Sequence, residues 1–248
     1  MSNVRFARPG NFPPVIKNLI IINVLVSIAQ AIMDERYQLT DKLTLQPIIS
    51  NHLKEALAHN APTVEIPHFS PYQIFTHMFT HAPLAQSPFH ILFNMLVLWM
   101  FGRVLESVWG SRRFLTFYLI CGIGAAAFHL LVQYIRCEFF LLPAVLDIDQ
   151  VGFNKYGGAL AGVVGASGAI MGVMAAYAYL FPNTELYLMA AIPIKAKWAV
   201  LIYVAVDLFS GFGSIKGDNV AHFAHLGGAI TGFLIVYIWN KTNRKTLY

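Results

Sequence analysis

Hydrophobic residues occur in six long runs, near residues 17–33, 88–108, 113–134, 167–181, 196–213 and 221–240. A membrane-spanning helix needs about 20 apolar residues, so this pattern predicts six spans. The fourth run is the shortest, because its 15 residues form a helix of only about 22 Å against a hydrocarbon core of about 30 Å. Its first residue, Ser167, is therefore predicted to lie below the outer membrane surface, in contact with water.

Composition excludes a soluble domain. Of the 248 residues, 57% are hydrophobic and 12% are charged, and the mean hydropathy is +0.58. The chain shows no internal repeat, which disfavours the repeated halves of secondary transporters. We predict one membrane domain over residues 17–240, with residues 1–16 and 241–248 as cytoplasmic segments. The short apolar segment 186–194 is predicted to lie at the membrane interface rather than to form a seventh span.

Basic residues predict the orientation, because cytoplasmic loops are enriched in Lys and Arg. Six spans place both termini on one side, together with eleven of the 17 basic residues: Arg5, Arg8, Lys17, Arg103, Arg112, Arg113, Lys195, Lys197, Lys241, Arg244 and Lys245. We therefore expect a multi-pass protein of the inner (plasma) membrane with both termini in the cytoplasm. The net charge of +5 reflects this orientation and gives no reason to expect nucleic-acid binding.

Two connections are too long to be simple turns. Residues 34–87 form the predicted long first external loop, and residues 135–166 become rich in glycine near the fourth span. Irregular backbone at membrane depth is tolerated only beside protein or water.

The first span has no small-residue cleavage site after it and is expected to stay as an anchor. The two cysteines, Cys121 and Cys137, predict neither a disulfide framework nor a metal cluster.

Polar side chains mark the N-terminal ends of the second, fourth and sixth spans, which all run from outside to inside. They are His90, Asn94, Ser167, His222 and His225. Two glycine pairs, Gly168 with Gly172 and Gly228 with Gly232, have the spacing that permits close helix packing. Such packing predicts that a serine hydroxyl and a histidine ring meet, as a nucleophile and its base require.

Each of these residues also has a structural interpretation. A serine in a helix rich in Gly and Ala commonly serves packing, and a membrane histidine or asparagine can simply bond neighbouring helices. His77 and His81 have the four-residue spacing of metal-ligand pairs, but structural hydrogen bonding is favoured in this aromatic segment. The combination of residues is much less expected by chance than any one of them.

The chain resembles the rhomboid intramembrane serine proteases over roughly residues 70–235. The matching segments are 75–81, His90 to Asn94, Gly102 through Glu106 to Gly110, 165–168 and Ala224-His225 with Gly228 and Gly232. The resemblance implies an all-α, six-transmembrane-helix bundle. It implies a serine endopeptidase that hydrolyses peptide bonds in or near transmembrane segments of other membrane proteins.

The resemblance also implies roles for individual residues. Ser167 is the expected nucleophile and His225 the general base, in a dyad without a carboxylate. His90, Asn94 and the backbone N–H of Ser167 are the expected oxyanion hole, while His222 is a possible accessory group for water or substrate access. The family's Trp-Arg pair in the first loop is Tyr72-Gln73 here, and the aromatic residue that commonly stacks on the base is Met171, a possible accessory residue.

Other functional classes require residues that can be looked for in the same sequence. A zinc protease needs a His-Glu-x-x-His helix, and the chain has no His-Glu dipeptide. An aspartyl protease needs paired Asp residues within spans, whereas Asp207 and Asp218 are expected near the outer end of the fifth span and in its loop. A non-proteolytic rhomboid-like binding or chaperone protein is the alternative function. No cofactor or metal is expected; the expected partners are transmembrane substrates and membrane lipids, and the oligomeric state is open.

Overall fold

The computed structural model describes residues 12–85, 87–188, 192–213 and 220–242. Asp218, the outermost predicted cytoplasmic residues (1–11 and 243–248) and the basic residues within them lie outside the described residues. Side chains of residues 210–221 are not described either. The predicted site residues are all within the described part.

Helices form most of the described chain. The first half contains α1 (Pro14–Tyr37), α2 (Leu39–Leu43), α3 (Asn51–Asn60), α4 (Gln73–Thr76), α5 (Pro88–Val97), a π-helical turn (Leu98–Gly102) and α6 (Arg103–Trp109). The second half contains α7 (Ser111–Arg136), a π-helical turn (Cys137–Leu141), α8 (Leu142–Leu146), α9 (Gln150–Tyr156), a 3-10 turn (Gly157–Leu160), α10 (Ser167–Leu180), strands β1 (Glu185–Leu188) and β2 (Ile192–Lys195), α11 (Ala196–Gly213) and α12 (Val220–Thr242).

A helix lies at each of the six predicted spans. Within the described residues, four continuous helical segments are long and apolar enough to cross a membrane: Pro14–Tyr37, Pro88–Trp109, Ser111–Leu146 and His222–Thr242. Ser167–Leu180 is apolar but shorter, as the sequence predicts. These findings establish a membrane helical bundle, while the count of six spans stays a prediction.

The all-α expectation needs one correction. In and beside segment 186–194, predicted to be an interfacial stretch, residues 185–188 and 192–195 form two antiparallel strands, in which Glu185 pairs with Lys195 and Leu188 with Ile192. Short strands fit this sequence because Pro193 removes a backbone N–H and disfavours a helix interior. The long connection 34–87 also differs from a plain loop, since α2, α3, α4 and the last turn of α1 lie within it.

Local sequence signals explain several helix boundaries. Pro14 and Pro88 occupy the first positions of α1 and α5, where a missing N–H costs nothing. Ser50 caps α3 by accepting a hydrogen bond from the backbone N–H of Leu53 at 3.1 Å. Gly110 separates α6 from α7 with a φ of 80°, a conformation that glycine adopts without steric cost.

The central packing unit consists of α7, α10 and α12, which contact one another along their lengths. Helix α1 is fastened to this bundle by the buried carboxylate of Glu106 on α6. That carboxylate accepts hydrogen bonds from the backbone N–H groups of Val15 at 3.0 Å and Ile16 at 2.9 Å, and from the hydroxyl of Ser111 at 2.7 Å. An anion at a helix N-terminus satisfies N–H groups that have no partner within the helix.

A second apolar cluster stabilises the two long connections. Its buried members come from α3 and from the region after α7, and include Leu53, Leu57, Leu141, Val145 and Ala159. Farther along, Leu45 and Val163 exchange two backbone hydrogen bonds of 3.0 Å. The first connection thereby holds the strand-like segment that leads into Ser167.

Candidate active site

Ser167 and His225 are in hydrogen-bonding contact. Ser167 is the first residue of α10 and His225 lies near the start of α12, and Oγ of Ser167 is 2.8 Å from Nε2 of His225. Glycines permit this approach, because a Cβ at Gly228 would collide with the backbone carbonyl of Gly168. Likewise, a Cβ at Gly172 would lie only 2.9 Å from the carbonyl oxygen of Gly228. The close packing predicted from the glycine spacing is therefore present.

A carboxylate contacts the other side of the histidine ring. Nδ1 of His225 lies 3.1 Å from both carboxylate oxygens of Asp207, on α11. A carboxylate only accepts hydrogen bonds, so Nδ1 carries the proton and Nε2 presents its lone pair to Ser167. The arrangement in the structure is thus Ser, His and Asp, whereas the resemblance implied a dyad without a carboxylate.

Sequence reasoning missed this contact, although a signal for it existed. Asp207 is an acidic residue inside an otherwise apolar helix, and such residues are costly unless they are paired. The sequence places Asp207 near the outer end of its span and does not indicate its partner. The rotation of α11 about its axis, which directs Asp207 toward α12, cannot be derived from hydrophobic periodicity in so apolar a helix.

His222 also contacts Asp207. Its Nδ1 lies 2.7 Å from Oδ1 of the carboxylate, and its ring stands edge-on to that of His225. The three possible ligand atoms of Asp207, His222 and His225 lie within 4.8 Å of one another, a spacing that a single cation can bridge. A cation there would occupy Nδ1 of His225, the atom that donates to Asp207 when no metal is bound.

His90 and Asn94, the predicted oxyanion donors, lie on α5 and face the same cavity as Ser167. Nδ1 of His90 accepts a hydrogen bond from the backbone N–H of Ala82 at 3.1 Å, so a neutral His90 carries its proton on Nε2. A Cβ at Gly165 would lie 3.2 Å from both this Nε2 and Oγ of Ser167. The side-chain amide of Asn94 donates to the carbonyl of His90 at 2.8 Å and has a second N–H.

The cavity around these residues has a volume of about 930 Å³. Its lining is mainly apolar, and the polar side chains in it are Ser87, His90, Asn94, Ser167, Tyr203 and His225. A segment of extended backbone, residues 161–164, forms one wall. The cavity therefore offers an apolar space for a polypeptide segment, with one peptide bond of that segment next to the hydroxyl of Ser167.

One known protein family matches most of this chain. The rhomboid domain family model matches residues 68–242, which is more than half of the chain. The chain belongs to the rhomboid family. Membership accounts for the membrane helical bundle, while the roles of Ser167, His225, His90 and Asn94 stay predictions.

Several curated rhomboid proteins are similar to this chain. Rhomboid protease AarA of Providencia stuartii is 34% identical over 156 residues, covering 59% of this chain and 49% of that protein. Rhomboid protein 1, mitochondrial, of Saccharomyces cerevisiae is 27% identical over 160 residues, covering 64% and 40%. Rhomboid protease GluP of Bacillus subtilis is 27% identical over 162 residues, covering 65% and 25%. The chain thus spans between a quarter and a half of the length of these relatives.

Gln73 stands in the position where the rhomboid pattern has arginine, and its side chain is buried. Its Oε1 accepts hydrogen bonds from the backbone N–H groups of Ser70 at 3.0 Å and Gln46 at 3.3 Å, and its Nε2 donates to the carbonyl of Lys42 at 3.2 Å. A neutral amide therefore joins three parts of the first connection. Tyr72 is half exposed.

The same connection supports the backbone before Ser167. The N–H of Gly165 donates to the carbonyl of His77 at 2.9 Å, and Nδ1 of His77 donates to the carbonyl of Gln73 at 2.9 Å. The structural interpretation of His77 is thereby confirmed. Gly165 has a φ of 124°, which a residue with a side chain rarely adopts, so this position favours glycine.

Met171 replaces the aromatic residue that rhomboids commonly have one helical turn after the serine. It is buried in α10 and lines the cavity that also contains His225. Its packing role against the histidine stays a prediction, as does the role of His222 in access of water or substrate.

Proposed function

We propose that this rhomboid is an intramembrane serine endopeptidase in which Ser167 is the nucleophile and His225 the general base. The observation that carries the proposal is the 2.8 Å contact between Oγ of Ser167 and Nε2 of His225, at a mainly apolar cavity of about 930 Å³. A serine hydroxyl is a weak nucleophile by itself, and a base within hydrogen-bonding distance is what activates it.

In the proposed first step, Nε2 of His225 removes the proton of the Ser167 hydroxyl as Oγ attacks a peptide carbonyl carbon. The carbonyl π electrons move to its oxygen, which becomes an oxyanion. Nε2–H of His90, the side-chain N–H of Asn94 and the backbone N–H of Ser167 supply hydrogen bonds to this oxygen. As the first residue of α10, Ser167 has a backbone N–H without a partner inside its own helix.

The tetrahedral intermediate then collapses. Its C–N bond breaks, the nitrogen receives the proton from His225 Nε2, and the amine product leaves an acyl-enzyme on Ser167. A water molecule attacks the ester carbonyl while Nε2 of His225 removes its proton. The C–O bond to Ser167 then breaks, His225 returns the proton to Oγ, and the acid product leaves with both residues restored. The reaction requires neither a metal nor an electron carrier.

The substrates in this proposal are transmembrane segments of other membrane proteins, because the cavity lies at the ends of membrane helices and is lined by apolar side chains. Both termini are proposed to be cytoplasmic and the protein to be a multi-pass component of the inner (plasma) membrane, surrounded by lipid. The excess of basic residues on that side supports this orientation.

The test is incubation of purified protein in liposomes with a single-span substrate. Wild type should release two fragments, and Ser167→Ala should release none while remaining folded. Ser107→Ala is the matched control, since that exposed hydroxyl bonds only within its own helix, to the carbonyl of Arg103. A non-proteolytic binding protein would instead retain the substrate uncut in wild type and in both variants.

A further inference from the structure

Asp207 lies on the side of His225 opposite Ser167. Its carboxylate is 13% exposed, as is the ring of His225, and α11 around it is apolar. An acidic group in such a helix is costly unless donors compensate for the lost water. Here two donors do so, Nδ1 of His225 at 3.1 Å and Nδ1 of His222 at 2.7 Å.

We propose that Asp207 is a positioning residue that completes a Ser167, His225 and Asp207 triad. The inference rests on the proposed function, because it assigns the orientation of the proposed base. Asp207 does not touch the substrate. It acts by keeping the proton of His225 on Nδ1 and by favouring the imidazolium that forms when Nε2 takes the serine proton.

The tautomer of His225 determines whether its ring can act as a base toward Ser167. Without a carboxylate, the proton of neutral His225 can lie on either ring nitrogen. If it lies on Nε2, the ring donates to Ser167 and cannot act as its base. The contacts with both oxygens of Asp207 hold the ring in one orientation and in the reactive tautomer.

His222 shares the carboxylate and thereby orients it. Its Nδ1 contacts Oδ1, while Oδ2 contacts His225 alone. Removing His222 leaves both carboxylate oxygens available to His225, so His222→Ala is expected to lower turnover much less than removal of Asp207.

A purely structural role for Asp207, linking α11 to α12, is the competing explanation, and kinetics distinguish the two. Asp207→Ala should lower kcat by roughly 10²–10⁴-fold with KM little changed. Added formate should restore part of the lost rate by supplying a carboxylate to His225. The matched control, Asp147→Ala, removes an exposed carboxylate at the end of α8 and should leave turnover unchanged and insensitive to formate.

Nitrogen-15 NMR of histidine-labelled protein in detergent tests the same inference without a substrate. With the signal of His225 assigned by a His225→Ala variant, wild type should show a protonated Nδ1 and an unprotonated Nε2. Asp207→Ala should show a mixture of tautomers. The inference is overturned if the variant keeps the wild-type tautomer, or if it folds and loses turnover that formate does not restore. If wild type itself cuts no substrate, the proposed protease function fails, and the NMR comparison still decides the role of Asp207.

Discussion

Gly228 on α12 lies directly against the backbone carbonyl of Gly168 on α10, so no side chain fits between the two helices there. This contact places Ser167 and His225 within one hydrogen bond of each other, although 58 residues separate them in the chain. Small residues let helix backbones approach closely. The geometry of the proposed site therefore depends on a helix contact one turn away from it.

Gly228→Ala should separate α10 from α12, because its Cβ would collide with backbone that cannot rotate away. We expect a loss of about 1–3 kcal/mol in stability and a cleavage rate well below that of wild type. Gly157→Ala is the control, since a Cβ there would meet only Phe153 at ordinary contact distances of 3.7 Å or more. Thermal unfolding and initial cleavage rates, measured in the same liposomes, check both effects. Unchanged values for both would contradict the packing argument.

Gln73→Ala should loosen the first connection. The substitution removes the side-chain amide that is hydrogen-bonded to backbone groups of Ser70, Gln46 and Lys42. Each buried group left unsatisfied costs about 1–3 kcal/mol. We expect a lower Tm and faster proteolytic nicking within residues 38–87. Gln150→Ala, at an exposed position on α9, serves as the control. A Tm equal to that of wild type would mean that the neutral amide does not anchor this segment.

Low pH should destabilise the same connection. Burial lowers the pKa of His77 from its ordinary value of 6.5 to about 4, and that of His81 to about 4. The unfolded chain therefore binds protons below pH 6.5 that the folded protein excludes. The contribution of these two histidines to the free energy of unfolding is therefore fully present above pH 6.5. It is lost as the pH falls toward 4, by at most about 1.4 kcal/mol per pH unit for each histidine.

Thermal unfolding in detergent from pH 7 to pH 4.5 measures this dependence. His77→Gln should reduce the slope of Tm against pH, leaving the contribution of His81. His52→Gln, on the exposed side of α3, should leave the slope unchanged. A slope in His77→Gln as steep as that of wild type would show that another group titrates.

The contact between Ser167 and His225 could be predicted from the sequence because three independent signals agree. The alternation of spans places the starts of α5, α10 and α12 at one side, the polar residues lie at those starts, and the glycines follow them at packing distance. The sequence indicates Glu106 only as part of the family pattern. It does not predict the hydrogen bonds to α1, because those partners are about 90 residues away and no periodicity links them.

Other features depend on tertiary contacts that one sequence does not encode locally. The contact of Asp207 depends on the rotation of α11. The hydrophobic pattern does not predict strands β1 and β2 or the helices within residues 34–87, because short elements carry too few residues for a periodic pattern. The three backbone partners of the Gln73 amide lie in different parts of the first connection, so no local pattern reveals them.

Removal of one oxyanion donor should slow turnover without abolishing it. Removing one side-chain donor costs on the order of 10²–10³ in turnover, because the hydrogen bond matters mainly when charge develops on the carbonyl oxygen. Asn94→Ala should therefore be slow but measurable, with KM little changed, and His90→Ala should behave similarly. Asn154→Ala, on the exposed surface of α9, should match wild type. A raised KM with normal kcat in Asn94→Ala would make Asn94 a docking residue instead.

The central claim is that Ser167 is a nucleophile activated by His225. Labelling with a serine-directed fluorophosphonate tests it most directly, because the reaction needs no knowledge of the substrate. We predict that the probe modifies wild type and Ser107→Ala at equal rates, modifies His225→Ala at most at a small fraction of that rate, and does not modify Ser167→Ala. Mass spectrometry should locate the adduct on Ser167. Equal labelling of wild type and Ser167→Ala, or no labelling of folded wild type, would contradict the account.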